Sequence, residues 1–364
     1  MFYRKYRPQS FKEITGQEII VQILKNFLKN INDIPQGYLF SGQRGTGKTS
    51  TARIFAKALN CLQLTSDYEP CNRCLNCESF NRSQFLDIIE LDAASNRGID
   101  EIRNLKEHIG FKPLQGKFKV FIIDEAHMLT EPAWNALLKT LEEPPPHAIF
   151  ILVTTEPEKI PATILSRVQR FDFRRLALKD IVKKLKLICQ NENIESDEKA
   201  LMLIAEESTG ALRDAETLLE KIILASNPIK KLEVEAVENF LGKVSVFRVL
   251  DFLNNLFEKN LDKSINFINE IYYEGFDLLI LTKEIVKILR NLMLIKNIPY
   301  WENQLKKDYS DEFISKLKDL AQKINLAEIQ KAIRLFLDAE IALKRDPVVP
   351  TLPLEIAIAE YILF

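Results

Sequence analysis

One segment restricts the possible folds of this chain more than any other. Tyr38–Ser41 is a short apolar run, and it leads into Gly-Gln-Arg-Gly-Thr-Gly-Lys-Thr, which fits the pattern G-x-x-x-x-G-K-T. A helical pattern follows over Ser50–Asn60. Glycine permits the backbone angles that bring successive N–H groups around a phosphate, and the start of a helix adds its dipole. This order of strand, loop and helix therefore predicts a loop that binds a nucleoside triphosphate.

The residues expected to hold the triphosphate are consecutive. Lys48 is expected to reach the β- and γ-phosphates, and Thr49 to place its hydroxyl on Mg²⁺. The complete set is Gly42, Gln43, Arg44, Gly45, Thr46, Gly47, Lys48, Thr49 and Ser50.

Two acids follow a second apolar run further along the chain. Val120–Ile123 is apolar, and Asp124 and Glu125 come directly after it. A buried parallel strand delivers the side chains at its end to the carboxyl edge of the sheet, where the phosphate loop also lies. We expect Asp124 to hold Mg²⁺ and Glu125 to orient and deprotonate the attacking water. The second acid favours an ATPase over a switch GTPase.

Length and composition describe an ordinary globular protein. The 364 residues predict two or three domains, and 46% hydrophobic with 28% charged residues is enough for real cores. The net charge of −1 requires any contact with DNA to come from a local basic surface. There is no run of eighteen apolar residues and no apolar signal region at the start, so we expect a cytoplasmic protein without a membrane segment.

The first part of the chain alternates apolar strands with helical segments. This alternation predicts an α/β domain with a parallel sheet over 1–175, with helices near Ile99–His108 and Glu131–Leu141. The expected strands are Tyr38–Ser41, Leu86–Leu91, Phe118–Asp124, Ala148–Thr154 and Val168–Phe173.

Only helices are expected after Phe173. A helical domain is predicted over 176–242, with Gly242 ending its last helix, and a second all-helical domain over 243–364. The helices expected here include Asp180–Gln190, Ser196–Ser208, Leu212–Ala225, Leu232–Leu241 and Leu354–Leu363.

Four cysteines lie between the first helix and the second strand. Cys61, Cys71, Cys74 and Cys77 give the spacing C-x₉-C-x₂-C-x₂-C over 61–77. Four thiolates at this density fit a structural zinc site with tetrahedral geometry. An iron–sulfur cluster is the alternative, because C-x₂-C-x₂-C also occurs in ferredoxins. The fifth cysteine, Cys189, falls on the apolar stripe of a helix and is expected in a core.

Taken together, these segments resemble the gamma/tau family of bacterial DNA polymerase III clamp-loader ATPases. The resemblance covers essentially the whole chain and is strongest in the cysteine insert and in the Leu-Glu-Glu-Pro-Pro run. Its motifs are Tyr6-Arg7-Pro8 with Phe11, Ile14–Glu18, the phosphate loop, the four cysteines, Asp92–Asn96, Asp124–Leu129 and Leu137–Pro145.

The resemblance implies an AAA+ ATPase domain, a helical lid and a helical collar, using ATP, Mg²⁺ and a structural Zn²⁺. Its implied partners are further copies of the chain, the delta and delta-prime subunits, the beta sliding clamp and primer-template DNA, with single-strand binding protein also possible. The ring is expected to open the clamp and load it on primed DNA. Polymerase chemistry is not expected in this chain.

By position, the resemblance also assigns roles to single residues. Thr155 matches the first sensor, Arg213 the second sensor, and Arg167 the arginine finger supplied to a neighbour's ATP. Tyr6, Arg7 and Pro8 match the segment that closes over the adenine. One residue departs from the family pattern, because Val168 stands where the family usually has cysteine. His127 is expected to make a polar contact near the site and not to act as a catalyst.

Three questions stay open at this stage. A DEAH-type helicase or recombination-associated AAA+ motor is the alternative function, prompted by Asp-Glu-Ala-His at 124–127. The chain ends soon after the expected collar, as a natural short form or a truncated piece would. A DNA-tracking surface is expected from the basic residues Arg97, Arg103, Lys106, Lys112, Lys117 and Lys119, with an ordinary solvated face as the alternative.

Overall fold

The computed structural model describes residues 1–364 apart from 32, 97, 226–230, 243, 307–308 and 364, and apart from the side chains of 99, 100, 103, 104 and 239. The chain forms two compact units. The first comprises 1–184 with 208–217, and the second comprises 185–207 with 218–364. The three-part division expected from the sequence stays a prediction.

A parallel five-stranded sheet is the centre of the first unit. The predicted strands are all present, and each end lies within two residues of the predicted one. They are β1 (Gly37–Gly42), β2 (Ile88–Asp92), β3 (Lys119–Asp124), β4 (Ala148–Thr154) and β5 (Gln169–Phe173). Their order in the sheet is β2-β3-β4-β1-β5, so the strand of the phosphate loop, β1, lies between β4 and β5.

Helices cover both faces of this sheet. Short 3₁₀ turns at Phe11–Glu13, Ala126–Met128 and Pro157–Lys159 join some of the elements. The helices before β5 are α1 (Phe2–Lys5), α2 (Glu18–Lys29), α3 (Lys48–Leu59), α4 (Leu75–Asn81), α5 (Ile99–Ile109), α6 (Glu131–Glu142) and α7 (Ala162–Leu165).

Alternation along the strands explains why both faces are dry. Tyr38 and Phe40 of β1 point into a core shared with α2 and α3, whereas Leu39 between them joins a core shared with α5 and α6. The inner strands β1, β3 and β4 are therefore buried at nearly every position, as expected of a parallel sheet covered on both sides, whereas the edge strands β2 and β5 carry exposed polar residues. This arrangement leaves the carboxyl ends of the strands free to carry polar side chains.

The chain after β5 is mainly helical, but the expectation that no strands follow Phe173 is wrong. Two short strands, β6 (Glu195–Ser196) and β7 (Lys231–Leu232), pair in parallel within the second unit. The remaining helices are α8 (Leu178–Asn191), α9 (Glu198–Glu207), α10 (Leu212–Ala225), α11 (Val234–Leu241), α12 (Val246–Phe257), α13 (Leu261–Tyr273), α14 (Leu278–Asn297), α15 (Glu302–Leu305), α16 (Asp311–Lys323), α17 (Leu326–Leu343) and α18 (Leu352–Leu363).

The second unit has an apolar core of its own, built by helices α12 to α18. The long helix α14 packs on α17 and α16, and buried side chains such as Leu253, Ile288 and Phe336 fill the space between them. Gly242 follows α11 with φ of 59°, the left-handed conformation of a helix end that the sequence predicts. Cys189 is fully buried, as expected. No helix in the described ranges is both long and apolar enough to cross a bilayer.

Candidate nucleotide site

The phosphate loop takes backbone angles that favour glycine. Gly42, Gly45 and Gly47 have φ of 143°, 78° and 97°. A Cβ on Gly42 would lie 2.5 Å from the carbonyl oxygen of Phe173, so there is also no space for a side chain at this position. Gly47 precedes α3, so the loop ends at the N-terminus of that helix, where free N–H groups attract phosphate.

Lys48 folds back over the loop. It is 6% exposed, and its Nζ donates hydrogen bonds to the carbonyl oxygens of Gly42 at 2.8 Å and Gln43 at 2.9 Å. Burial lowers the pKa of Lys48, while the carboxylates of Glu125 and Asp124 oppose that shift. The ammonium group thus lies within the loop, where it could exchange these carbonyl partners for a phosphate oxygen.

The hydroxyl of Thr49 and the carboxylate of Asp124 lie together, as the magnesium prediction requires. Thr49 Oγ1 donates a hydrogen bond to Asp124 Oδ2 at 3.0 Å. A hydroxyl oxygen and a carboxylate oxygen beside a phosphate loop are the ligands that Mg²⁺ takes in ATPases. These two residues therefore fit the ion, and they are the pair that would hold it.

Glu125 directly follows β3 and has a left-handed φ of 48°, so the chain turns away from the line of the strand at this residue. Its Oε2 accepts a hydrogen bond from Thr155 Oγ1 at 3.2 Å, just after the end of β4. His127 lies nearby, with Nδ1 at 3.0 Å from Thr154 Oγ1 and Nε2 at 3.1 Å from Glu156 Oε1. Its ring is thus engaged in local polar contacts, as the sequence predicts.

The start of α10 lies directly on the phosphate loop. The N–H of Leu212 donates a hydrogen bond to the carbonyl oxygen of Gly45 at 3.1 Å. Arg213 lines the cleft above the loop, and its guanidinium lies 4.6 Å from the centre of the Tyr3 ring. Arg213 therefore lies at the cleft beside the phosphate loop of its own chain.

A cleft of about 600 Å³ opens above the loop, large enough for a nucleotide. Arg7 and Pro8 line it, as predicted for the closing segment. Tyr6 is not among its lining residues, and its carbonyl oxygen instead accepts a hydrogen bond from Lys184 Nζ at 3.2 Å. The start of the chain therefore forms part of the lining of the cleft.

Sequence reasoning missed several lining residues: Tyr3, Arg4, Arg53, Ser83 and Glu216. Two of them had a signal in the sequence. Arg53 is four residues after Thr49 on α3, and Glu216 is three residues after Arg213 on α10, so each shares a helix face with a predicted site residue. Tyr3, Arg4 and Ser83 reach the cleft through tertiary structure and carry no such signal.

Besides Lys48, burial perturbs two further ionisable groups of the cleft. Glu216 is 5% exposed, and burial raises the pKa of its carboxyl group to about 7, against an opposing effect of Lys184. Burial also lowers the pKa of Arg7, and the neighbouring charge of Arg53 adds to that effect. A cluster of cations in a partly dry cleft favours a polyanionic ligand.

Arg167 lies at the opposite edge of the sheet from the loop of its own chain. Its carbonyl oxygen is 3.0 Å from the position of a Cβ on Gly37, at the start of β1. The phosphate loop begins at the other end of that strand, about 16 Å away at 3.3 Å per residue. The side chain is instead paired with Glu142 at 2.7 Å and is partly exposed. Arg167 does not join the residues that line the cleft.

The four cysteines come together as the spacing predicts. Their sulfur atoms all lie within 4.8 Å of one another, and two of the side chains, Cys61 and Cys77, are buried. Four thiolates bound to one zinc ion at about 2.3 Å lie about 3.8 Å apart, so the cluster fits a tetrahedral site after a small contraction. All four ligand positions come from the protein, which is typical of a structural site.

Hydrogen bonds favour the thiolate form of one of these cysteines. Although burial acts to raise it, the pKa of Cys74 is lowered to about 6 by the backbone N–H groups of Cys77 and Leu62. Burial raises the pKa of Cys77, and so do the neighbouring thiols. Since thiolates are the metal-binding form, the cluster offers one ready ligand beside others that a metal would deprotonate.

The predicted DNA-facing lysines do not all fit that role. Lys112 and Lys117 are exposed and Lys106 is partly exposed. Lys119 is only 6% exposed, with its Nζ 5.8 Å from the centre of the Phe111 ring, so the expectation that it tracks DNA phosphates is wrong. Lys119 is the first residue of the inner strand β3, and its side chain is buried because neighbouring elements cover that strand. Arg97 and the Arg103 side chain lie outside the described residues.

Three protein-family models match successive parts of the chain. They are "DNA polymerase III, delta subunit" over 16–177, "DNA polymerase III clamp loader subunit, ATPase lid domain" over 180–227, and "DNA polymerase III subunits gamma and tau domain III" over 232–358. Together they leave few residues unmatched after residue 15.

Curated relatives match over most of the chain. DNA polymerase III subunit tau of Bacillus subtilis is 44% identical over 317 residues, which are 87% of this chain and 56% of that protein. DNA polymerase III subunit gamma of Buchnera aphidicola from Acyrthosiphon pisum is 35% identical, covering 94% of this chain and 93% of that protein. The chain spans about half the length of the tau and gamma/tau relatives from Bacillus subtilis, Mycoplasma genitalium and Escherichia coli.

A solved structure shares the fold. The RuvB Holliday junction branch migration motor of Thermotoga maritima matches with a TM-score of 0.50 at 19% identity, over 70% of this chain and 80% of that one. The phosphate loop, the parallel sheet and the matching ATPase lid model together define a P-loop ATPase of the AAA+ class. Within that class, the chain belongs to the gamma/tau family of DNA polymerase III clamp-loader subunits.

Proposed function

We propose that this chain is an ATP-binding and ATP-hydrolysing subunit of a bacterial clamp loader, which opens the sliding clamp and loads it on primed DNA. The observation that carries the proposal is the meeting of Lys48, Thr49, Asp124 and Glu125 at one edge of the sheet, in a chain of the gamma/tau family. A nucleotide-binding subunit without hydrolysis would not need the second acid.

In this proposal, each side chain around the loop has one task. Lys48 exchanges its two carbonyl partners for phosphate oxygens, because charge-assisted hydrogen bonds are stronger than neutral ones. Thr49 and Asp124 hold Mg²⁺, which supplies charge neutralisation at the phosphates when it is bound. Glu125 takes the proton of the attacking water, and the hydroxyl of Thr155 keeps the carboxylate oriented.

Two arginines divide the work between subunits. Arg213 already lines the cleft and would contact the nucleotide of its own chain. Arg167 lies about 16 Å from its own loop by the length of β1, so it would serve the loop of a neighbouring subunit. To do so it leaves its ion pair with Glu142. Hydrolysis would then require assembly, as it does for arginine fingers supplied from outside.

We further propose a structural zinc ion on Cys61, Cys71, Cys74 and Cys77. The mutual distances of the sulfur atoms support zinc, and the absence of any redox task in the proposed function disfavours an iron–sulfur cluster. Metal analysis giving about one zinc per chain is expected, and a brown protein would contradict it.

The proposed setting is the cytoplasm, with delta, delta-prime, further copies of the chain, the clamp and primed DNA as partners.

An ATPase assay tests the main proposal. The chain is assayed alone, then with delta and delta-prime, and then with clamp and primed DNA, using Lys48→Ala as the inactive control. We expect slow hydrolysis by the chain alone and stimulation that needs the clamp and primed DNA together. Unwinding of duplex DNA by the chain alone would contradict the proposal and favour the helicase alternative.

A further inference from the structure

The cysteine module, residues 61–83, contacts the amino-terminal segment, residues 6–11. Glu69 of the module is 4% exposed, and its Oε2 accepts a hydrogen bond from the N–H of Phe11 at 2.7 Å. Its other carboxylate oxygen lies 2.7 Å from Lys25 Nζ on α2. A buried carboxylate is expensive to leave without partners, so Glu69 fixes the backbone of Phe11 firmly.

A second contact runs through Asn72, which lies between the ligands Cys71 and Cys74. Its backbone is left-handed with φ of 54°, and its Nδ2 donates a hydrogen bond to the carbonyl oxygen of Gln9 at 3.3 Å. Its Oδ1 accepts a hydrogen bond from Lys57 Nζ at 2.6 Å. The module thus contacts the segment through a residue that lies between two of its proposed metal ligands.

Lys57 joins the module, the segment and the helix of the phosphate loop. It belongs to α3 and is 2% exposed, and its Nζ donates to Gln9 Oε1 at 3.1 Å and to Asn81 Oδ1 at 3.0 Å, besides Asn72. All three protons of the ammonium group therefore have acceptors. Two of these acceptors belong to the module and one to the segment.

The segment reaches the nucleotide cleft within two residues of these contacts. Arg7 and Pro8 line the cleft, and residues 7–9 belong to no helix or strand. The contacts at Gln9 and Phe11 fix the chain after these residues, and the hydrogen bond from Lys184 to Tyr6 fixes it before them. Ser83, two residues after the end of α4, lines the same cleft.

We infer that the cysteine module is a positioning element for the segment that closes the nucleotide cleft, so that metal binding and nucleotide binding are coupled. The bound metal holds a thiolate cluster of this kind in one conformation. Without the metal, Glu69 and Asn72 are no longer held in position to contact the amino-terminal segment. Nucleotide binding must then order the segment as well, which weakens affinity. By linkage, nucleotide must strengthen metal binding by the same factor.

The coupling is measured in both directions on the full chain. Affinity for Mg²⁺-ADP is determined by calorimetry before and after zinc is removed with a chelator under reducing conditions. We expect a loss of about five- to thirtyfold, within the usual range of coupling between sites. In the other direction, saturating Mg²⁺-ADP should raise zinc affinity, measured by competition with a chromogenic chelator, by a similar factor.

Asn72→Gly gives the decisive variant, because glycine keeps the left-handed backbone and removes only the side-chain contacts. With one zinc retained per chain, it should lose about five- to tenfold in ADP affinity, at the low end of such coupling, and show faster amide exchange at residues 9–13. Glu78→Gln is the matched control, since Glu78 lies in the same module and its ion pair with Arg82 is exposed. Its affinity should not change.

Unchanged ADP affinity and unchanged amide exchange in zinc-bound Asn72→Gly would overturn the inference. The inference rests on the proposed nucleotide site, and the two fail differently. A wild-type chain that binds no nucleotide contradicts the proposed function. A wild-type chain that binds ADP through Lys48, with no effect of Asn72→Gly, contradicts only the coupling.

Discussion

Thr49 Oγ1 donates a hydrogen bond to Asp124 Oδ2 at 3.0 Å, although the two residues lie 75 positions apart in the sequence. The bond exists because β1 and β3 are parallel strands of one sheet, so that their carboxyl ends share an edge. The two oxygens that fit Mg²⁺ are therefore already neighbours before any nucleotide binds. Pre-formed sites of this kind lower the cost of ordering on binding.

Glu125→Gln should separate binding from hydrolysis. Glutamine keeps the shape of the side chain and an oxygen for Thr155, but it cannot accept the proton of water. We expect ATP affinity within a fewfold of wild type and ATP turnover in the assembled complex lower by about 10²- to 10⁴-fold, the usual contribution of a general base. Glu158→Gln, on an exposed turn, serves as the control. Substantial turnover by Glu125→Gln would assign the base elsewhere.

Gly42→Ala should destabilise the fold more than Gly47→Ala. Both positions have a left-handed φ, which costs a residue with a side chain about 1–2 kcal/mol. A Cβ on Gly47 has nothing within 4 Å, whereas one on Gly42 meets the Phe173 carbonyl oxygen at 2.5 Å. Urea unfolding of the two variants measures the difference. Equal free energies of unfolding would show that the backbone relaxes at Gly42.

Glu216 should make the stability of the nucleotide-free chain depend on pH. Its ordinary pKa is 4.5, and burial raises it to about 7 in the fold. Between these values the folded state keeps a proton that the unfolded state has lost, so the free energy of unfolding falls as the pH rises from about 4.5 to about 7. The loss is on the order of 3 kcal/mol.

Glu216→Gln removes this titration and keeps the shape of the side chain. Relative to wild type, the variant should therefore gain stability as the pH rises through that window, as measured by urea unfolding at several pH values. Parallel stability curves for the two proteins would mean that Glu216 titrates normally in the fold.

Local patterns predicted most of the ATPase fold. The phosphate loop, the buried strands and the cysteine cluster each depend on residue types at fixed spacing, and each occurs in the structure. What the sequence concealed depends on tertiary packing. The two-residue strands β6 and β7 are too short for periodicity to show, and Tyr3 reaches the cleft only because the chain folds back on itself.

Charge alone also misled the reading of one surface. Lys119 counts as a basic residue in the sequence, yet it begins an inner strand and its side chain is buried beside Phe111. In the same way, Glu216 resembles any acid on an amphipathic helix until the helix is placed against the cleft. Its neighbour Arg213 gave the only hint, through helical spacing.

A subunit-mixing experiment tests most directly the claim that the active site is completed by a neighbour. Lys48→Ala chains lack a working loop, and Arg167→Ala chains lack the finger; Arg170→Ala, an exposed arginine paired with Asp172, is the control. In complexes with delta, delta-prime, clamp and primed DNA, the account predicts that the two defective chains hydrolyse ATP faster when mixed than either does alone. A mixture no more active than the average of the two separate chains would contradict it.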